Sequence, residues 1–132
     1  MMTNRDQLMR RALRATAVMN AGGALLFAFP GWFGWLAGFP ASVPRVYAFM
    51  LAFLVALFGA TYAWLAGQPR IDRPLVVFSA LGKAGVFFVV LGCWQLGDVP
   101  GRAVATMSAD LAFAAFFAWW LLWGSDAAAP AT

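Results

Sequence analysis

LVVFSALGKAGVFFVVLGCWQL, residues 75–96, holds one charge, Lys83, and the nearest charges on either side are Arg73 and Asp98. A run of this kind matches the roughly 20 apolar residues that a helix needs to cross a bilayer. The lysine is the difficulty. An ammonium inside hydrocarbon costs about 3 kcal/mol on insertion scales and takes a partner, a cavity or a route to the interface. What accommodates Lys83 is the question around which the rest of the chain can be read.

The composition agrees with the membrane reading. Of 132 residues, 64% are hydrophobic and 11% charged, against about half apolar and about a quarter charged in a soluble domain. Three further apolar stretches flank the first, at about 12–29, 45–67 and 103–123. The expectation is a single all-α domain over residues 1–132, with four transmembrane helices in an antiparallel up-down-up-down bundle.

Arg5, Arg10, Arg11 and Arg14 interleave with Leu8, Met9, Ala12 and Leu13 at helical spacing, an amphipathic lead-in to the first span. A basic start before an apolar run also suits a secretory signal. Asn20 interrupts the run, however, and no clean small-x-small cleavage site precedes a polar start, so a span is expected. Residues 31–44 are too broken by Gly and Pro to span and too aromatic for a solvated loop: Trp32, Phe33, Trp35, Leu36 and Phe39 lie among Pro40 and Pro44. Such a segment suits the headgroup boundary, as a short interfacial helix or shallow re-entrant piece; the other reading is a lid over an outward-facing pocket. Ala48, Ala52, Ala56 and Ala60 form a small-residue stripe that lets helices approach closely. Trp119, Trp120 and Trp123 read as an interfacial belt, and residues 124–132 as a disordered tail.

Orientation follows from the basic residues. Arg5, Arg10, Arg11, Arg14, Arg70 and Arg73 fall in the N-terminal arm and the second connector, against Arg45 and Arg102 in the other two. Both termini are therefore expected in the cytoplasm. The net charge of +4 is explained by this bias, and no nucleic-acid partner is expected.

Counting along each span at about 1.5 Å per residue places Asn20, Thr61, Tyr62 and Lys83 in one layer of the cytoplasmic half, with Ser79 one turn below Lys83. The same count puts Asp110, the acid deepest in any span, roughly 8 Å farther out, against a Lys stem reach of about 6 Å, so that a direct pair with Lys83 is open but not ensured, and tilt or a water could close the gap. These six residues are the candidate polar cluster. Lys83 and Asp110 act either as structural glue or as part of a Lys-Asp-Asn-Tyr lining of an internal cavity. A purely snorkelling Lys83 is disfavoured, because about eight residues of depth exceed the reach of its stem. Asn20 reads as an interhelical hydrogen-bonding residue or as a ligand contact.

The absent residues exclude several chemistries. The chain has no His and no Glu, so a bis-His haem, the common zinc sites and a Ser-His-Asp triad are out. It has no phosphate-binding Gly-rich loop, and Cys93 alone forms no redox pair and reads as a packed thiol. No catalytic residue, metal or cofactor is expected.

Asn20-x-x-Gly23, Pro30, Gly59-x-x-Tyr62, Pro69-x-x-x-Arg73-Pro74-Leu75, Gly82-Lys83, Gly97-x-x-Pro100 and Asp110 together give a pattern that resembles small bacterial four-helix membrane proteins, similar in size and layout to DoxX-like proteins. The resemblance implies a bacterial inner-membrane bundle and transfers no catalytic residue. Some DoxX-like members are linked to quinone or thiol redox chemistry, for which this chain has no motif. The leading expectation is a non-enzymatic integral membrane protein that binds a lipid-like or small amphiphilic ligand, or serves as accessory subunit of a membrane complex. The alternatives are a small transporter or proton-coupled carrier using Lys83 and Asp110, and a quinone- or lipid-linked redox subunit. A homodimer is compatible with the small-residue stripes.

Overall fold

A computed structural model describes residues 2–124; the tail expected to be disordered lies outside them, apart from Gly124. The chain is all-helical, with no strand among the described residues. Its helices are α1 (Asn4–Ala28), α2 (Trp35–Ala37), α3 (Arg45–Gly67), α4 (Arg73–Gln95) and α5 (Gly101–Trp119). Two π-helical turns, Pro30–Gly34 and Trp120–Gly124, follow α1 and α5.

Local chemistry sets several ends. Thr3 caps α1, its hydroxyl accepting from the Asp6 amide at 3.2 Å. Asp72 caps α4, accepting from the Leu75 amide at 2.9 Å, with Pro74 in the first turn where its missing N–H costs nothing. The amphipathic lead-in and the first apolar stretch form one continuous helix, because nothing between Asn4 and Ala28 breaks it.

Three segments are long and apolar enough to cross a membrane: Arg45–Gly67, Arg73–Gln95 and Gly101–Gly124. α1 meets that test only when joined to Pro30–Ala37, from which it is bent by 107°. The arginines and Asp6 in its first half dilute its hydropathy. The first of the four expected spans is thus the one that composition supports least.

The long helices form two hairpins. In the first, Arg10 of α1 reaches carbonyls at the end of α3 while Gly23 faces Val55 nearer its start, so the two run in opposite directions. In the second, Lys83 meets Asp110 near mid-helix, and Gly101 at the start of α5 faces Trp94 near the end of α4. Backbones approach closely within each hairpin and only sparsely between them. Side chains fill the space between, as where Phe58 of α3 stacks on Phe78 of α4 at 5.7 Å.

The small-residue stripe read on α3 is split by the helix. Ala48, Ala52 and Gly59 are buried, whereas Ala56 and Ala60 are exposed. At Gly59 α1 comes close: a Cβ there would lie 3.0 Å from the Asn20 Cβ and 3.3 Å from the Ala17 carbonyl oxygen. The fully buried core gathers toward the arginine-rich end, around Met9, Leu13, Leu65, Val76 and Phe117. Elsewhere large apolar side chains face outward, Phe53, Leu81 and Val89 among them, the pattern expected of helices whose outer solvent is lipid.

That end is tied by arginines. Arg10 donates to the carbonyls of Ala66 (2.7 Å), Gln68 (2.6 Å) and Pro69 (3.1 Å), where α3 terminates. Arg73 donates to Leu121 O at 2.8 Å and Arg5 to Trp123 O, both beyond the end of α5. A helix leaves its last carbonyls without intrahelical donors and its C-terminus partly negative, and a guanidinium from another helix answers both needs.

The close approach at Gly59 sets a measurable contrast. Gly59→Leu should push α1 from α3 and lower stability by about 2 kcal/mol, as overpacking does. Gly82→Leu, where an added Cβ meets nothing within 4 Å, should leave it within about 0.5 kcal/mol. Unfolding in mixed detergent micelles reads both; equal losses would contradict the packing described.

Candidate functional site

Lys83 is 3% exposed, and each of the four long helices contributes to what surrounds it. Its Nζ donates to Asp110 Oδ1 of α5 at 2.6 Å and to Asn20 Oδ1 of α1 at 3.4 Å. The Asn20 amide in turn donates from Nδ2 to Val55 O of α3 at 3.1 Å. The polar path therefore runs α5, α4, α1, α3. It crosses from one hairpin to the other at the bond between Lys83 and Asn20. Two rings complete the shell: the Tyr62 centroid lies 5.2 Å and the Phe113 centroid 5.6 Å from Nζ. Cation–π contacts of this kind contribute about 1 kcal/mol each, more when desolvated.

The direct ion pair removes the offset that the sequence count placed between Lys83 and Asp110. Both helices begin earlier than the apolar stretches suggest, α4 at Arg73 and not Leu75, α5 at Gly101 and not Ala103. Each early start moves its residue along the axis by about 3 Å, in directions that bring the two together. Polar and Pro residues at a helix start are helical without being apolar, so a hydropathy boundary undershoots.

The expected residues divide into two groups. Asn20, Tyr62, Ser79, Lys83 and Asp110 converge. Tyr62 presents its ring to the ammonium, and its hydroxyl interacts with Ser79. Ser79 is 1% exposed and donates to Leu75 O of its own helix at 2.7 Å. Thr61 does not join the cluster. One residue from Tyr62 is about 100° around the helix, and its hydroxyl donates to Leu57 O one turn back at 2.9 Å. Phe113 was missed by the sequence reading, although its i+3 spacing from Asp110 puts both on one face of α5. Thr16, on the Asn20 face, is fully buried, its hydroxyl without a hydrogen-bond partner among the described residues.

An open cleft lies away from this cluster. It measures about 520 Å³ and sits where α1 ends, the chain bends and α3 begins, lined by Phe29, Pro30, Trp32, Val43, Arg45 and Phe49 among others. The connector over residues 31–44 is helical in its first part, as far as Ala37, and turns away from α1 by 107°. It is pinned to α5. Arg102 Nε donates to Trp35 O at 3.1 Å and Thr106 Oγ1 to Ala37 O at 3.0 Å. Gly38 lies so near Ala103 that a Cβ would meet its amide nitrogen at 2.7 Å. At φ +84° Gly38 also holds a backbone conformation that L side chains rarely adopt.

In comparisons with known proteins, the chain matches no family model, no curated protein and no solved structure.

If the cluster is a structural clasp, its parts are worth less alone than together. Lys83→Met and Asp110→Leu should each lower unfolding stability by about 3 kcal/mol, leaving one charge without its partner. The double variant should recover to within about 1 kcal/mol of the parent. Simple addition of the two losses would refute the clasp.

Proposed function

We propose that the protein is a non-enzymatic integral membrane protein with four spans arranged up-down-up-down and both termini on the cytoplasmic side of a bacterial inner membrane. It binds a lipid-like amphiphile. The DoxX-like resemblance of the sequence agrees with this layout.

The observation that carries the non-enzymatic part is the closure around Lys83. The ammonium is met by a carboxylate, an amide oxygen and two rings, and the pair is 3% and 16% exposed. The most conspicuous charge in the chain is thus engaged in joining helices and is not presented to a substrate. The ligand reading rests instead on the cleft at the bend, a half-open, largely apolar recess with one arginine in its lining. α1 serves as the fourth span on this reading, its arginines lying at the cytoplasmic boundary. The first and last described residues share that end, since Trp120 Nε1 donates to Asp6 Oδ1 at 3.1 Å.

A carrier that uses Asp110 is the second reading. It is favoured by the 16% exposure of the Asp110 side chain, against 3% for Lys83. Asp110→Asn would abolish substrate-driven flux in vesicles on that reading, with the fold retained.

Native mass spectrometry of the full chain from mild detergent tests the leading reading. A bound amphiphile is expected to survive, and the spectrum reports any homodimer at the same time. A bare monomer would overturn ligand binding and leave the accessory-subunit role. Cysteine labelling after Thr3 and in the 98–100 turn should report opposite sides of the membrane; labelling from one side would overturn the topology.

A further inference from the structure

The cleft at the bend has a chemistry that narrows its ligand. We infer that it holds a phospholipid with an anionic headgroup, Arg45 engaging the phosphate and the aromatic wall receiving the upper acyl chain. This rests on the amphiphile-binding reading above and names the ligand class.

Arg45 is the single charged residue lining the cleft. It makes no hydrogen bond or ion pair with any described residue. Arg5, Arg10, Arg73 and Arg102 each donate to a backbone carbonyl of another element; Arg45 shares its unengaged state with Arg11, Arg14 and Arg70, and differs from them in lining the cleft. Arg45 therefore has its donors available, and a guanidinium offers a planar fork that matches phosphate oxygens two at a time.

The remaining walls are apolar. Phe29, Val43 and Phe49 are 48%, 37% and 53% exposed, and Trp32 is 74% exposed. Trp at a helix end suits the level of lipid headgroups, with its ring toward the chains. Arg45 opens α3, a helix long enough to span, so cation and Trp lie at one boundary with the apolar wall beside them. That order, cation then hydrocarbon, is the order of a phospholipid read from its phosphate inward.

The sign of the headgroup follows from what is missing from the lining. No acid lines the cleft to receive the ammonium of a zwitterionic headgroup. A neutral quinone would leave the arginine charge unanswered. The cleft is also built into the backbone: the chain bends by 107° after α1, and the close approach of Gly38 to Ala103 sets the connector against α5.

The test uses purified full-length protein in nanodiscs holding equal mole fractions of phosphatidylglycerol and phosphatidylcholine, released into native mass spectrometry. The parent should retain phosphatidylglycerol over phosphatidylcholine by about tenfold, Arg45→Gln should bring the ratio near one, and Arg45→Lys should keep an intermediate preference. Thermal unfolding should be the same for all three, since Arg45 holds no other element. An unchanged ratio in Arg45→Gln would overturn the inference while leaving amphiphile binding in place, as would displacement of phosphatidylglycerol by equimolar oleate or ubiquinone. Loss of every lipid from the parent would overturn both readings.

Discussion

The ammonium of Lys83 sets the terms for the rest of the fold. A charge this deeply buried must be answered by fixed groups, and the answers come from three other helices. Asp110 supplies the counter-charge, Asn20 a second acceptor, Tyr62 and Phe113 their ring faces. Each demands that its helix be at one height and one rotation. Apolar packing in a membrane gives little of this, because lipid tails are as apolar as the side chains and helices gain little by hiding from them. A polar path through all four helices supplies register that Leu and Val cannot.

The importance of that path is greater because the backbones meet mainly within hairpins. α1 and α3 close on Gly59, and α4 and α5 on the ion pair itself. Between hairpins the ties are side chains: the Lys83–Asn20 bond, Phe58 on Phe78, and Tyr62 against Phe117 at 6.3 Å. At the arginine-rich end Arg5 and Asp6 of α1 reach the π-helical turn after α5. The two hairpins are thus held at mid-height by one lysine and at one end by charged and aromatic clamps. The opposite end is closed by the connector, folded across from α1 to α5.

This division separates structure from recognition. The residues that look most chemical in the sequence, Lys83 and Asp110, are engaged with each other. The open cleft is lined by residues that look like packing or anchoring, with a single cation at its edge. A buried ion pair that joins helices and a boundary arginine proposed to meet a headgroup are different uses of charge: the first needs exclusion of solvent, the second needs access to it.

Much of this was legible in the chain. The helical class, the three apolar helices and the polar character of the layer around Lys83 follow from hydropathy and from residues that hydrocarbon penalises, both local properties. The convergence of Asn20, Tyr62, Ser79 and Lys83 followed from counting turns, because helical rise is nearly constant. Other features depend on rotation and on neighbours, which spacing along one helix does not carry. Thr61 and Tyr62 are adjacent in sequence and part in space. The six arginines read alike as an orientation signal, yet Arg5, Arg10 and Arg73 donate to the carbonyls where other helices end. The distance between Lys83 and Asp110 required the true starts of α4 and α5. The sequence determined that a charge would have to be accommodated, since the cost of burying it is a property of the residue and its surroundings. The tertiary structure alone decided which groups accommodate it, a carboxylate, an amide oxygen and two rings, since that depends on which side chains four separate helices turn toward one point.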